Sequence, residues 1–595
     1  MTNLDSPHSK FSMVLMLAIS VVCSIAILFN GYILRLGTPS DSFLMFWLPI
    51  TVLGLLMFYA AFTFDSKYPL VLIMVFAFTL HMLQFVRQPA GMIWSADSIY
   101  VYQVVENIFK TGQFTFGSGT GMAPTYTYYP IFHIFLSSLS SITSLSPMII
   151  VKYSMAILNL ASLLGFYALL SLLKLDSRSK NLILCVFNLN PMFHYFNSYA
   201  HAESFAIIFY PLILLYALRQ SQPKFSVKNQ AIALFFLAIV TMSHHFTSYM
   251  TALALVAVPI LLYFICKKTL MRTEFSILAL ILPLSWLAFV SVNLFSSHIT
   301  TFTKMISNLT ELHLGVGYSV TSLDTSIAYY PSALSMQITS LRNLLLVAVT
   351  FLGFLWYIRH KEKTYTYFGA LLLFGSAITF VSMFLVDWSQ VGSVPRTRFI
   401  EFLFYPIAIF FALGTIKILR KIANLNNKSL RRRLIQKKVI TLLVVLILVV
   451  IFVPSTIFNA FPRYNYDQTY SPVISTEFTV APETQYALGR WVLAYSNTSE
   501  KDVFAGSSSA HRYVIGYGLQ EKWANEIFDV SSIESEMNGA WWGFSLYYVV
   551  NHWNVELPDG DGRKVDDSTI DYLNGDSNRI YDNRVITLYR KGYNP

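Results

Sequence analysis

The chain has 595 residues, 55% of them hydrophobic and 12% charged, with a formal net charge of +11. Soluble domains carry about twice that charge density, and apolar stretches of about 20 residues recur along most of the length, so the fold class is a polytopic α-helical membrane protein. Continuous rather than alternating apolar runs exclude a β-barrel. The positive excess sits in short loops such as "KILRKIANLNNKSLRRRLIQKK", which assigns it to membrane topology and not to nucleic acid. Cys23, Cys185 and Cys266 all fall in apolar segments, giving neither a disulfide framework nor a zinc-ligand set.

In chain order, membrane helices are predicted near 11–33, 43–63, 68–86, 148–172, 180–196, 202–219, 228–244, 246–266, 273–296, 338–358, 364–386, 398–418 and 439–458, about thirteen in all. The first has no small-residue cleavage site after it and reads as a retained helix. With the N-terminus cytoplasmic, the loops "KLDSRSK", "RQSQPKFSVK", "KKTLMR", "RHKEK" and "KILRK…RRRLIQKK" all fall on the cytoplasmic side, as the positive-inside rule requires. The segment "YYPIFHIFLSSLSSITSLSP" would reverse every later loop if it spanned. It is short and Ser-rich, and reads as an interfacial or re-entrant helix. "YQVVENIF" before it has the pattern of an amphipathic helix, with Glu106 as a surface or supporting charge. The organisation is two N-terminal helices in 1–67, a transmembrane module over 68–459 with an outer loop at 87–147, and a tail at 460–595. The tail mixes helix-like and strand-like stretches with turn residues and is long enough for one small extracytoplasmic α/β domain. The sequons at Asn308 and Asn497 lie on the predicted outer side, and that at Asn427 lies inside.

Ionisable residues at helix ends facing one compartment are functional pointers in a membrane protein. Five groups converge on the predicted outer face: Asp97; Glu203; His194 and His201; His244 and His245; and Arg396, Arg398 and Glu401. A carboxylate can accept a proton from a hydroxyl nucleophile or bind a divalent metal. Arginine matches phosphate oxygens with a planar fork, and histidine can donate to phosphate or ligate a metal. The chain is also rich in aromatics, with 36 Tyr, 10 Trp and 48 Phe; most are core or interface-belt residues. The combination suits a substrate with a lipid tail, a phosphate and a polar transferable group.

The order helix, Asp97, "VVENIFKTGQF", "YYPIFHIF" resembles the first outer loop of the GT-C glycosyltransferase superfamily. "YFNSYAHAESFAII" is similar to the second acidic motif of the oligosaccharyltransferase catalytic subunit, with Glu203 at its acidic end. "PRTRFIEFLFYPIAIF" resembles the late helix of archaeal and bacterial members whose arginine meets the lipid-linked phosphate. "ALGRWVLAYSNTSEKDVFAGSSSAHRYVIGYGLQ" is similar to the start of their extracytoplasmic domains. The likeness covers about residues 68–530 in short motifs, and marks the chain as a distant relative of the oligosaccharyltransferase subunit. It departs from it too. "FAGSSSAHRYVIGYG" stands in place of a Trp-Trp-Asp-Tyr-Gly motif, and "SADSIY" carries neither an Asp-Glu pair nor an Asp-x-Asp. Both departures argue against peptide-sequon transfer and against a strict metal requirement.

The resemblance implies an inverting membrane glycosyltransferase of the plasma membrane. It would use a polyprenyl-phosphate-linked sugar as donor and a glycan or lipid-linked acceptor, within the bilayer and at its outer face. Asp97 would be the general base. Arg396, Arg398, His244 and His245 would bind the donor phosphate, and Glu203 with His201 would support the site or bind metal. A divalent cation, Mg or Mn, held by Asp97 and Glu203, is left open. Competing readings are oligosaccharyltransferase-like transfer of a whole glycan to protein, a lipid-linked-sugar flippase or other transporter, and a non-catalytic scaffold. A transporter is expected to show internal repeats and mid-membrane ionisable groups, which the sequence lacks.

Overall fold

The computed structural model of the chain describes residues 7–35, 42–86, 96–117, 127–219, 227–267, 271–292, 295–296, 299, 303, 333–359, 363–385, 395–424 and 430–460, together with four short strands. The helices are α1 (Pro7–Arg35), α2 (Ser42–Thr63), α3 (Tyr68–Val86), α4 (Ala96–Thr111), α5 (Pro130–Thr143), α6 (Pro147–Leu158), α7 (Leu160–Leu169), α8 (Ser177–Phe187), α9 (Pro191–Asn197), α10 (Ala202–Ala206), α11 (Tyr210–Arg219), α12 (Val227–Thr241), α13 (His245–Cys266), α14 (Thr273–Phe289), α15 (Ala333–Ile358), α16 (Lys363–Leu385), α17 (Pro395–Asn424) and α18 (Leu430–Ala460). Helical structure falls on each of the thirteen predicted segments. Among the described residues, eight stretches are long and apolar enough to cross a membrane.

Three predicted helices are not continuous. The first, 147–173, breaks at Asn159 between α6 and α7 and ends in a short 3-10 turn. The second is α8, a turn at 188–190, then α9, and the third is α10, a 3-10 turn, then α11. Irregular backbone at membrane depth survives only where it is buried in protein or lines a cavity. Here asparagine side chains satisfy it. Asn188 Nδ2 donates to the Ile73 carbonyl at 2.9 Å, and the Asn190 side chain accepts from the Met192 N–H at 3.1 Å to start α9.

The amphipathic α4 and the 14-residue α5 form a small layer of their own. At 1.5 Å per residue α5 is about 21 Å long, short of the roughly 30 Å hydrocarbon core. Val101 and Val105 of α4, Phe132 and Leu136 of α5, and Ile150 and Met155 of α6 share one buried cluster with Phe205 and Ile208. α17 lies at the centre of the larger bundle and packs on α15, α16, α8 and α18, while α2 packs on both α8 and α18. Its core is aromatic: the Tyr405 ring lies 4.6 Å from Phe187, 4.8 Å from Phe166 and 5.2 Å from Tyr210, centre to centre. α15 and α17 cross in backbone contact. A Cβ on Gly353 would overlap the Phe410 carbonyl oxygen, and one on Gly414 would come within 2.6 Å of the Val349 carbonyl oxygen. Small residues at such a crossing let helices pack closely inside a bilayer.

In the tail, β1 (Phe504–Gly506), β2 (Tyr547–Asn551), β3 (Ser577–Asp582) and β4 (Ile586–Lys591) form a mixed sheet in the order β1-β2-β4-β3. β1 runs parallel to β2, and the other two pairings are antiparallel. The rest of the predicted α/β domain lies outside the described residues.

Candidate functional site

One end of the bundle gathers residues from α9, α10, α13 and α17. α17 opens with Pro395, whose missing N–H costs nothing in a first helical turn. Arg398 follows on that turn and keeps 14% of its side chain exposed. Its Nε lies 2.8 Å from Oε2 of Glu203, which is 1% exposed in α10. The Nε–H is not directed along a hydrogen bond, so the contact is an ion pair made by proximity. The guanidinium also sits 5.3 Å from the centre of the Phe196 ring, within cation–π range.

One turn deeper on α17, Glu401 is fully buried and accepts a hydrogen bond from Asn197 Nδ2. The Asn197 carbonyl in turn accepts from Asn159 Nδ2 at 2.8 Å. The break in the first discontinuous helix is thus tied to the end of α9 and through it to α17. Ser204 Oγ donates to the Phe196 carbonyl at 2.6 Å, which fixes α10 against α9. Two buried carboxylates therefore lie beside one guanidinium, and each acts electrostatically on the other.

His244 precedes α13 and caps it: Nδ1 accepts from the Thr247 N–H at 3.3 Å and lies 2.9 Å from the Thr247 hydroxyl. Burial, and then the positive charge of its neighbours His245, Arg398 and His201, pushes its pKa well below the usual imidazole value. A neutral ring with Nδ1 accepting carries its proton on Nε2. The His245 ring lies 4.8 Å from His244 and 5.6 Å from Tyr129, and His201 stands 5.7 Å from the Tyr199 ring, all between centres.

Of the residues singled out in the sequence, His201, Glu203, His244, Arg398 and Glu401 come together. His194 does not join them. It is fully buried against His81, with ring centres 5.2 Å apart, and its Nε2 contacts the Asn188 carbonyl at 2.6 Å. The cause is α9, which points it back into the aromatic core. Asp97 and Arg396 lie in the first turns of α4 and α17, and their side chains lie outside the described residues. Glu106 pairs with Lys110 one turn away at 3.0 Å, a supporting charge as expected. Among the described residues no three His, Cys, Asp or Glu side chains meet as a metal-ligand set, and Arg398 already engages Glu203.

Sequence reasoning did not find Asn159 or Asn197, whose roles exist only across the helix breaks. It also passed over Lys152, which is 2% exposed in α6 with its Nζ 5.5 Å from the Tyr153 ring. A lone lysine inside "PMIIVKYSMAIL" was the available signal.

No family model matches the sequence, and no curated protein matches it. Solved structures do. ArnT from Cupriavidus metallidurans, bound to undecaprenyl phosphate, is similar at a TM-score of 0.51 and 10% identity, over 89% of this chain and 99% of that one. Archaeal oligosaccharyltransferase AglB from Archaeoglobus fulgidus, in complex with an inhibitory peptide and a dolichol-phosphate, is similar at 0.51 and 12% identity, over 82% and 70%. The Archaeoglobus fulgidus oligosaccharyltransferase in complex with Zn and sulfate is similar at 0.50 and 13% identity, over 80% and 68%. At such identities the likeness is one of fold: this chain shares the fold of ArnT and of the archaeal oligosaccharyltransferase AglB.

Proposed function

We propose that this protein is a membrane glycosyltransferase that takes a sugar from a polyprenyl-phosphate donor and passes it, with inversion, to a glycan or lipid-linked acceptor. The N-terminus is cytoplasmic, about thirteen helices span the plasma membrane, and the reaction and the tail domain face outward. The observation that carries the reading is Arg398. It is a partly exposed guanidinium, held by a buried glutamate beside a neutral histidine donor, in a fold with solved examples bound to undecaprenyl phosphate and dolichol-phosphate.

In this reading Arg398 binds the donor phosphate, and the Nε2–H of His244 adds a neutral donor. Arg396, two positions earlier in the sequence, is the other candidate for the same phosphate. Asp97 takes the proton from the acceptor hydroxyl as oxygen attacks the anomeric carbon and the sugar–phosphate bond breaks. The lipid phosphate leaves with the bonding electrons and needs no acid, and back-side attack inverts the anomeric centre. Glu203 orients Arg398 through their ion pair. A divalent cation would be held by Asp97 and Glu203 and would stabilise charge on the leaving phosphate.

The test is transfer by purified protein from a synthetic short-chain polyprenyl-phosphate sugar to a lipid-linked acceptor, with products resolved by mass spectrometry. A product one sugar longer supports the reading. Movement of the donor across a vesicle bilayer without turnover replaces it with a transporter.

A further inference from the structure

The opposite end of the bundle carries a second constellation. Arg398 and Arg420 both lie on α17, 22 residues apart, or about 33 Å at 1.5 Å per residue, close to the thickness of a bilayer core. At the Arg420 end a cavity of about 130 Å³ opens between α2, α8, α17 and α18. Half of its lining is apolar, with Phe62, Leu182, Ile416, Leu419 and Ile440, and Arg178 and Arg420 supply two positive charges.

Asp176 also lines the cavity and sets one negative charge against these two; its carboxylate caps α8 by accepting the Ser179 N–H at 2.9 Å. Arg178 is fixed by its neighbours. A terminal nitrogen donates to the Thr63 carbonyl, and its backbone N–H donates to Asp65 Oδ1, both at 3.3 Å. Its Nε is buried without a hydrogen-bond partner among the described residues. A buried guanidinium N–H without an acceptor is costly, and a turn of the side chain toward an anion in the cavity would supply one. The basic loops put this end on the cytoplasmic side, where anionic lipids attract basic residues. "RRRLIQKK" opens the next helix.

We propose that this cavity is a binding site for the phosphate headgroup of an anionic phospholipid, with the acyl chains lying on the apolar half of its lining. It is separate from the donor site and does not depend on the glycosyltransferase reading. A soluble phosphate shares the headgroup chemistry, but the apolar half of the lining and the interfacial depth favour a phosphate carried on a tail.

The experiment is native mass spectrometry of the detergent-solubilised full chain with phosphatidylglycerol, with phosphatidylcholine, and with inorganic phosphate as a competitor. Phosphatidylglycerol is expected to bind at least tenfold tighter than phosphatidylcholine and to resist displacement by inorganic phosphate. Arg178→Gln is expected to remove most of that preference, and Arg420→Gln, at an exposed position that leaves the fold alone, to reduce it severalfold. A variant carrying Arg431→Gln, Arg432→Gln and Arg433→Gln should keep it. Equal binding of the two lipids, an unchanged preference in both cavity variants, displacement by inorganic phosphate, or loss of the preference only in the triple variant each overturns the proposal.

Discussion

Removing Arg398 should have two separable consequences, because the residue is assigned two partners. Glu203 is 1% exposed and its ion-pair partner lies 2.8 Å away, with the buried Glu401 acting on the same pair. Breaking a buried pair by removing one partner costs about 3–5 kcal/mol, since it strands the other charge. Arg398 retains 14% exposure, which places Arg398→Gln near the lower end, about 3 kcal/mol. Glu203→Gln together with Arg398→Gln removes both charges and should recover most of that stability. Lipid-phosphate binding behaves differently. Losing a charge-assisted contact costs about 1.5–3 kcal/mol, or roughly ten- to a hundredfold in affinity, and the double variant should remain as weak as the single. Glu203→Gln alone should bind within severalfold of wild type, because the guanidinium stays. Thermal unfolding in detergent and titration with a short-chain polyprenyl phosphate read the two quantities on the same samples. A single variant as stable as wild type would refute the ion pair's role, and a double variant with wild-type affinity would refute Arg398 as the phosphate ligand.

Asp97→Asn is expected to lower the transfer rate by roughly 10²–10⁴-fold while leaving the donor-induced thermal shift in place; Glu106→Gln, whose carboxylate pairs only one turn away with the exposed Lys110, should change the rate little, and equal rates for the two variants would remove the general base. A glycosylation reporter fused after Pro595 should be modified, and a cysteine at Asn427 should react only from the cytoplasm; the reverse pattern inverts the site's compartment. Gly353→Ala and Gly414→Ala should each destabilise by about 1–3 kcal/mol or prevent folding, since each added methyl meets a carbonyl across the α15–α17 crossing; thermal unfolding near the wild-type temperature would contradict the close approach.

Helix positions were legible because an apolar run of about 20 residues has few alternatives in a bilayer. α3 matches its predicted span of 68–86, and α14 begins at the predicted Thr273. The breaks were not legible. Average hydropathy hardly registers one asparagine, yet Asn159, Asn188 and Asn190 interrupt two of the runs and satisfy the freed backbone from the side. The site was half legible. Residue type identified Glu203, His244 and Arg398 as chemistry at helix ends, and it also selected His194, because sequence spacing does not reveal which way a seven-residue helix turns its histidine. The pairing of Asn197 with Glu401 joins residues about two hundred positions apart and left no local pattern to read.

The interrupted helices place two kinds of physical constraint on the chain. Below each break, side chains such as Phe166, Phe187 and Tyr210 interlock around Tyr405, and a change in one volume must be matched by its neighbours. Above the breaks, Phe193, Ala202 and Phe205 are buried too, and hydrogen bonds from Asn159 to Asn197, from Asn197 to Glu401 and from Ser204 to Phe196 fix the short segments in place. There a substitution must preserve a donor and its acceptor as well as a volume. The interlocked half needs only matched apolar volumes, which different side chains can supply, and a fold can so persist over 89% of a chain at 10% identity.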